Sequence, residues 1–177
     1  GYDYHLWDRQ KPIWQVLTHL NPIANNLERY SSDLLALIDG RAIFAPRYDH
    51  KMGKMTKPKR VESNDFILAS GLHALYLPTL RDICDLKIFL DIDESLRQYF
   101  KIERDTKVRG HALEQVIRSI EKRAPDSERF IKPQSDFADL VLSLQPIHPR
   151  LLKAPTSNQP IRLKLVVRSH NDFLEMS

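Results

Sequence analysis

A dense group of cationic side chains is the most distinctive chemical feature of the sequence. It lies in KIERDTKVRGHALEQV, residues 101–116. Arg97, Lys101 and Arg104 are spaced i, i+4 and i+7, which would place their charged ends on one face of a helix, with Arg109 following just beyond. Guanidinium groups match the geometry of phosphate oxygens. The group therefore predicts a phosphate clamp, and a solvated charged face is the alternative.

The N-terminal segment DYHLWDR offers a second set of chemically competent side chains. Asp3 and His5 are two residues apart, so they would face the same side of an extended segment. A carboxylate beside an imidazole is a candidate general base, in which a second polar side chain assists the group that takes the proton. A turn packed under aromatic side chains is the alternative. His50 is a further isolated candidate, and the histidines show no HExxH-type spacing, so a zinc site is not expected.

Length and composition favour one folded domain. The chain has 177 residues, 42% of them hydrophobic and 28% charged, which is an ordinary globular balance. The net charge of +4 favours anionic ligands without singling out nucleic acid. Cys84 is the single cysteine, and no apolar run approaches the length of about 20 residues needed to span a membrane. A soluble protein of the cytoplasm, without a membrane partner, is expected.

The elements that must position these side chains alternate between helices and strands, which predicts an α/β fold with a mostly parallel sheet. Helices are predicted over residues 24–40, over 93–108 with Leu96, Tyr99 and Phe100 facing inward, and over 111–123. Four apolar runs predict strands: DFILASGL, LKIFLDI, DLVLSLQP and IRLKLVVRS. The basic segment KMGKMTKPKR, residues 51–60, is predicted to be a solvated mobile loop. RAIFAPRYDH is predicted to be a short extended pair broken at Pro46.

The order of seven motifs resembles that of phosphoribulokinases and their relatives the uridine kinases, over roughly Asp3 to Leu144. The motifs are DYHLWDR, THLNPIANNLE, PRYDH, GLHAL, LRDICDLKIFLDID, KIERDTKVRGHALEQV and FIKPQSDFADLVL. The resemblance implies a three-layer P-loop kinase fold and an ATP- and Mg-dependent transfer to a hydroxyl of a phosphorylated sugar or a nucleoside. No pair of glycines in the sequence has the spacing of a P-loop, so this fold is expected without its first strand and P-loop. Residues 145–177 would extend a single domain, 1–177, with a further strand.

The resemblance also implies roles for individual residues. Asp105 would hold the arginines of the basic helix in place, and His5 matches the histidine of the family's acidic-aromatic-His motif. The remaining positions that match phosphate or sugar-phosphate contacts are Arg9, His50, Lys101, Arg104 and Arg109.

The chain departs from the family pattern at two acidic positions. Tyr2 stands where the family has its general base, and a phenol with an unperturbed pKa of about 10 is a poor base. Asp3 is the candidate substitute. Ser70 replaces an acid before the GLH motif and would bind magnesium only weakly.

These departures leave several hypotheses open. The chain is either a fragment of a longer kinase or a degenerate, non-catalytic module that binds phosphate or sugar phosphate, and it is expected to form a homo-oligomer or to be the remainder of a longer chain. Loss of the first strand would leave an uncovered apolar patch. Nucleic acid is not the expected partner, because the basic segment at 51–60 lacks interleaved aromatic side chains.

Overall fold

The computed structural model describes residues 3–49, 51–149, 152 and 160–169. They fall into two compact units. The first unit comprises the described residues within 1–85 and 125–134, and the second those within 86–124 and 135–177. In the described ranges, no helix combines the length and the apolar character needed to cross a membrane.

The first unit is built around helix α1, Leu27–Ile38. The side chain of Asn26 begins the helix by accepting a hydrogen bond from the amide of Arg29 at 3.1 Å. Gly40, with a φ of +80°, follows its end, where the Arg41 amide donates to the carbonyl of Ala36. The helix predicted over 24–40 is therefore confirmed. Its buried side chains are Tyr30, Ser31, Leu34, Ala36 and Leu37.

An antiparallel hairpin follows, formed by β1, Ile43–Asp49, and β2, Lys54–Val61. The pairing register shifts between Ala45 and Arg47, at Pro46, which has no amide hydrogen to donate. The prediction of a mobile loop over residues 51–60 is wrong, because most of this segment is paired with β1. The strand is hard to detect in the sequence because nearly all of its side chains are exposed, so no apolar alternation marks it.

The strand predicted in DFILASGL is also wrong. Residues 65–72 contain no strand, and the side chains of Phe66 and Leu68 are 94% and 95% exposed. A buried-type strand needs a neighbour to bond its backbone, and no strand of the described residues pairs with this segment. The short helix α2, Pro78–Asp82, follows it. Shorter 3-10 segments of the first unit are Pro12–Gln15 and Pro22–Ala24.

The second unit contains a mixed sheet with the order β3-β4-β5. Strands β3, Ile88–Ile92, and β4, Leu140–Pro146, are parallel, and β5, Leu163–Ser169, runs antiparallel to β4. These strands confirm the predictions made from LKIFLDI, DLVLSLQP and IRLKLVVRS. The carboxylate of Asp139 fixes the start of the parallel pair, because it accepts from the amide of Lys87 at 2.7 Å and from its ammonium at 3.1 Å.

The two faces of this sheet differ. Residues paired across strands share a face, and Leu90, Leu142 and Val167 form one apolar row. On this face, Leu90 is 76% and Val167 57% exposed. On the opposite face, Val141 and Ser143 are fully or almost fully buried. One face of the sheet is therefore covered and the other is open, as far as the described residues show.

Two helices and a π-helical turn carry the basic motif. Helix α3, Glu94–Glu103, begins at Asp93, whose carboxylate accepts from the amides of Ser95 and Leu96. The helix runs directly into a π-helical turn, Arg104–Val108, so the helix predicted over 93–108 is confirmed with a wider last turn. Leu96 is fully buried as predicted. Phe100 is 41% exposed, so the predicted inward orientation of Phe100 is wrong.

Helix α4, Leu113–Asp126, is followed by a π-helical turn, Ser127–Ile131, and a 3-10 segment, Lys132–Phe137.

Candidate functional site

A single carboxylate organises the basic motif of the second unit. Asp105 is only 5% exposed. Its Oδ2 accepts from the ammonium of Lys101 at 2.8 Å, and its Oδ1 accepts from Nε of Arg104 at 2.8 Å and from a terminal nitrogen of Arg109 at 3.1 Å. Three cations from consecutive helical turns thus meet on one carboxylate.

The local backbone explains this convergence. Lys101 and Arg109 lie four residues before and after Asp105, so each is its neighbour on the helix surface. The π-helical turn carries the backbone from the end of α3 to Arg109, whose amide donates to the carbonyl of Arg104 at 3.2 Å. Such turns are rare and occur often at functional sites. The amide of His111 then donates to the Asp105 carbonyl at 2.9 Å and closes the motif.

The cluster carries more positive than negative charge. Burial alone would raise the pKa of Asp105, but the hydrogen bonds from Arg104 and Lys101 outweigh it and hold the pKa well below its usual range. The carboxylate is therefore ionised and offsets one of the three cations. The side chains of Arg104 and Arg109 remain 51% and 54% exposed. Two half-exposed guanidinium groups held at a fixed place are well suited to bind an anion.

Arg123 belongs to the same electrostatic neighbourhood and was not singled out from the sequence. It follows Val116 and Ile120 at helical spacing, and both of these side chains are buried. Burial lowers its pKa, the charge of Asp105 opposes this shift, and neighbouring arginines, Arg104 among them, add to it. In the described part of the chain, no carboxylate forms an ion pair with Arg123. The spacing 116, 120 and 123 is the sequence signal that points to its half-buried position.

Two other cations of the motif pair elsewhere. Arg97 forms a fork with the carboxylate of Glu94, with bonds of 2.9 and 2.6 Å. Lys107 binds Glu103 at 2.6 Å. Arg97, Lys101 and Arg104 were predicted to share one face of a helix. In the structure, Lys101 and Arg104 both bind Asp105, whereas Arg97 binds Glu94.

The N-terminal candidates lie in the first unit. Oδ1 of Asp3 accepts a hydrogen bond from the amide of Tyr48 in β1 at 2.8 Å. His5 is buried, and its Nδ1 lies 2.9 Å from Oδ1 of Asn25. The amide nitrogen of Asn25 donates to two backbone carbonyls, so its Oδ1 is the acceptor and His5 Nδ1 carries the proton. Tyr2 and His50 lie outside the described residues.

The segment that contains Arg9 fastens the turn of the hairpin. The amide of Arg9 donates to the carbonyl of Gly53 at 2.8 Å. The side-chain amide of Gln10 donates to the carbonyl of Met52 at 2.9 Å, and Oδ1 of Asp8 accepts from the amide of Met55 at 2.9 Å. Arg9 is thus placed beside the hairpin turn by three hydrogen bonds along its own segment.

The hairpin carries a groove of about 650 Å³ that the sequence did not predict, because residues 51–60 were expected to be a loop. Three cations and one carboxylate line it, and the ring of Tyr48 lies edge-on to His5 at a centroid distance of 5.2 Å. The lining residues are Arg47, Tyr48, Asp49, Lys51, Thr56 and Lys57. The excess of positive charge makes the groove a second candidate anion site.

The SGLH segment places Ser70 and His73 differently. Ser70 is exposed, whereas His73 is 5% exposed and its Nε2 donates to the carbonyl of Leu20 at 2.9 Å. Burial lowers the pKa of His73, the bond to the carbonyl opposes this shift, and the nearby His5 adds to it. Within the described ranges, no group of three or more His, Cys, Asp or Glu side chains is arranged to hold a metal ion.

Comparison with known families identifies the chain. Residues 2–148 match the profile of the phosphoribulokinase / uridine kinase family. The chain belongs to this family. Among individual relatives, a phosphoribulokinase of Synechocystis is 36% identical over 173 residues, covering 98% of the chain and 51% of that protein. The chloroplastic phosphoribulokinase of Arabidopsis thaliana is 34% identical, covering 94% of the chain and 42% of that protein.

A uridine kinase of Staphylococcus haemolyticus is 31% identical, covering 79% of the chain and 70% of that protein. The chain thus spans about half the length of the curated phosphoribulokinases that it matches. A solved phosphoribulokinase from Rhodobacter spheroides has a TM-score of 0.71 at 19% identity, covering 97% of the chain and 68% of that structure. This likeness confirms the P-loop kinase fold.

Proposed function

We propose that the chain is part of an ATP-dependent kinase that phosphorylates a hydroxyl group of a phosphorylated sugar. The observation that carries this proposal is the Asp105 cluster, in which two half-exposed guanidinium groups are held ready for an anion. Membership of the phosphoribulokinase / uridine kinase family supports the reaction class. The positive charge of the hairpin groove supports a phosphorylated acceptor.

In this proposal the cationic cluster neutralises charge on the phosphoryl group during transfer. Phosphoryl transfer depends mainly on positioning and electrostatic stabilisation, which fixed guanidinium groups supply. Asp105 holds Lys101, Arg104 and Arg109 in register, since its oxygens are occupied by these cations. The half-buried Arg123, which interacts electrostatically with Asp105, Arg104 and Arg109, adds further positive charge.

The groove of the hairpin is the proposed acceptor site. Arg47, Lys51 and Lys57 give it an excess of positive charge, which favours a phosphorylated sugar over an uncharged nucleoside. His50 is a further proposed sugar-phosphate contact, because it matches such a position in the family pattern. Arg9, fastened beside the hairpin turn, is a further proposed contact.

A proton must leave the acceptor hydroxyl, and Asp3 is the proposed base. One of its oxygens is fixed by the amide of Tyr48, a residue that lines the groove. His5, whose ring lies against Tyr48, is the proposed polar helper. Tyr2, at the position where the family pattern has an acid, is not assigned this role.

The cationic cluster fits the phosphates of ATP in charge. The magnesium ion implied by the family finds no comparable site, because the described residues contain no group of three ligands and Ser70 offers a single uncharged hydroxyl. Ser70 therefore stays a proposed weak ligand, and no step is derived through the metal.

The test is acceptor-dependent release of ADP by the protein in its full natural length. Arg104→Ala and Arg109→Ala should each lower kcat by about 100-fold, because each removes a preorganised cation. Arg41→Ala is the matched control, since Arg41 forms an exposed ion pair with Asp39. Unchanged turnover in both cluster variants would contradict the proposed clamp.

A non-catalytic module that binds phosphate or sugar phosphate is the second candidate. It is favoured by the combination of a complete cationic cluster with Ser70 and Tyr2 at positions where the family pattern has acids. Calorimetry on the same protein separates the two candidates. Phosphate binding without any ADP release supports the module, and acceptor-dependent ADP release eliminates it.

We propose a cytoplasmic protein, and several plant relatives are named chloroplastic. Cell fractionation with an antibody against the chain would decide the location. We also propose a homo-oligomer or a longer chain, which light scattering on the protein purified from its native cells would test.

A further inference from the structure

A buried side-chain amide joins two separate segments of the first unit. Gln134 is 4% exposed. Its Nε2 donates to the carbonyls of Leu72 and Phe130, both at 2.8 Å, and its Oε1 accepts from the amide of Leu75 at 3.0 Å. Two carbonyl partners require donors and one amide partner requires an acceptor, so the orientation of the Gln134 side chain is fixed.

The segment that Gln134 binds depends on side chains for its shape. Residues 71–76 form turns rather than a helix or a strand. Two backbone bonds lie within the segment, from Ala74 to Gly71 and from Tyr76 to His73. The carbonyls of residues 75 and 76 accept from the guanidinium of Arg81 at 3.3 and 3.2 Å. Such a segment is held in place mainly by the groups that bind it, and Gln134 is the most buried of these.

His73 is the buried polar side chain of this segment. The ring of Tyr76 lies perpendicular to His73, with a centroid distance of 5.8 Å, and edge-on to Phe130 at 6.2 Å. Gln134 bonds the backbone of Phe130 and that of residues 72 and 75. It therefore connects the two backbone segments that carry the rings of Phe130 and Tyr76. His73, in the same segment as Tyr76, donates to the Leu20 carbonyl.

His73 is connected to the proposed acceptor groove through one intervening side chain. It interacts electrostatically with His5, and the ring of His5 contacts Tyr48, which lines the groove. His5 and Tyr76 are the titratable side chains that these contacts place next to His73. A shift of the segment would change both the solvation of His73 and the support of the groove wall.

We propose that Gln134 is a positioning residue: its amide holds residues 71–76 so that His73 keeps its bond to Leu20 and stays buried near His5. This inference relies on the proposed function only for the role of the groove. The contacts of Gln134 and His73 stand independently of that role.

The test is Gln134→Met, which keeps the approximate size of the side chain and removes all three hydrogen bonds. We expect the pKa of His73, measured by NMR titration, to rise toward its ordinary value of about 6.5 as the ring gains solvent. Binding of inorganic phosphate at the groove, followed by the NMR shift of the Tyr48 amide, should weaken by about ten-fold, since small displacements at a positioned site carry large effects. Gln98→Met is the matched control, because the Gln98 amide bonds the exposed Glu94 in the second unit.

A lower midpoint of urea unfolding with an unchanged His73 titration would show a structural role alone and overturn the inference. If Gln134→Met does not fold, Gln134→Leu replaces it, since it removes the same three hydrogen bonds without adding a charge. An unchanged His73 titration in a folded Gln134→Leu variant would also overturn the inference. A shifted His73 in a protein whose groove binds no phosphate would support the positioning role and contradict the proposed acceptor site.

Discussion

A buried carboxylate that binds three cations is a poor proton acceptor at neutral pH. The pKa of Asp105 lies well below its usual range because the bonds from Arg104 and Lys101 outweigh the effect of burial. A group that stays ionised at pH 7 contributes charge and geometry rather than proton transfer. The Asp105 carboxylate therefore acts in the proposed site through the cations that it holds, whichever of the two candidate functions applies.

Replacing this carboxylate should reduce stability in a pH-dependent way. Asp105→Asn leaves the cations without their counter-charge, and we expect a loss of about 2 kcal/mol at pH 7, below the value for a fully buried pair because Arg104 and Arg109 are half-exposed. The folded pKa of Asp105 is lowered, so its contribution is present above the unfolded pKa of about 4 and is lost as pH falls toward the folded pKa.

Urea unfolding at pH 7 and pH 3 measures this difference between wild type and variant. Asp136→Asn is the control, since Asp136 is exposed and accepts a long bond of 3.5 Å from Ser135. A difference that is as large at pH 3 as at pH 7 would show that the charge of Asp105 is not the source of the stabilisation.

The residues of the candidate site that lie close together in the sequence could be predicted. The residue whose role depends on burial could not. Lys101, Arg104 and Arg109 surround Asp105 within nine residues, so helical spacing alone brings them together. Arg123 comes from another helix, and only the burial of its helix neighbours separates it from an ordinary surface arginine.

At the scale of elements, periodicity succeeded for the sheet of the second unit and failed for the hairpin. The apolar runs that form β3, β4 and β5 carry their own signal. Strand β2 is almost wholly exposed, so its pairing with β1 is not encoded in an apolar pattern. In the run DFILASGL, an apolar pattern is present but no strand forms. Its composition suits a buried strand, yet the described residues supply no strand beside it.

The hairpin turn offers a test of how the N-terminal segment positions Arg9. Gly53 has a φ of +68°, and a Cβ added there would lie 2.7 Å from the Cβ of Arg9. Gly53→Ala should therefore lower the free energy of unfolding by about 2 kcal/mol, combining backbone strain of about 1 kcal/mol with displacement of Arg9. Gly40→Ala is the matched control, since Gly40 also has a positive φ, of +80°, but nothing lies within 4 Å of its added Cβ.

Hydrogen exchange of the Met55 amide, which donates to Asp8, reports the displacement directly. We expect faster exchange in Gly53→Ala and unchanged exchange in Gly40→Ala. Equal effects of the two substitutions on stability and on this amide would mean that Arg9 does not constrain the turn.

At the scale of the whole molecule, the open face of the sheet is the most unusual feature. Cross-strand pairing places apolar side chains of all three strands on one face. A monomeric soluble protein seldom exposes a continuous apolar surface of this kind. The most exposed members of this surface are Ile88, Leu90, Leu163, Leu165 and Val167.

We therefore expect the 177-residue chain to bind the dye ANS and to associate as its concentration rises, because both processes remove this apolar face from water. Leu90→Lys combined with Val167→Lys should lower ANS fluorescence and shift the association, followed by analytical ultracentrifugation, to higher concentration. Val16→Lys is the control, since Val16 is an apolar side chain of the first unit and is 79% exposed. If the double variant associates as the wild type does, contacts elsewhere on the chain drive the association.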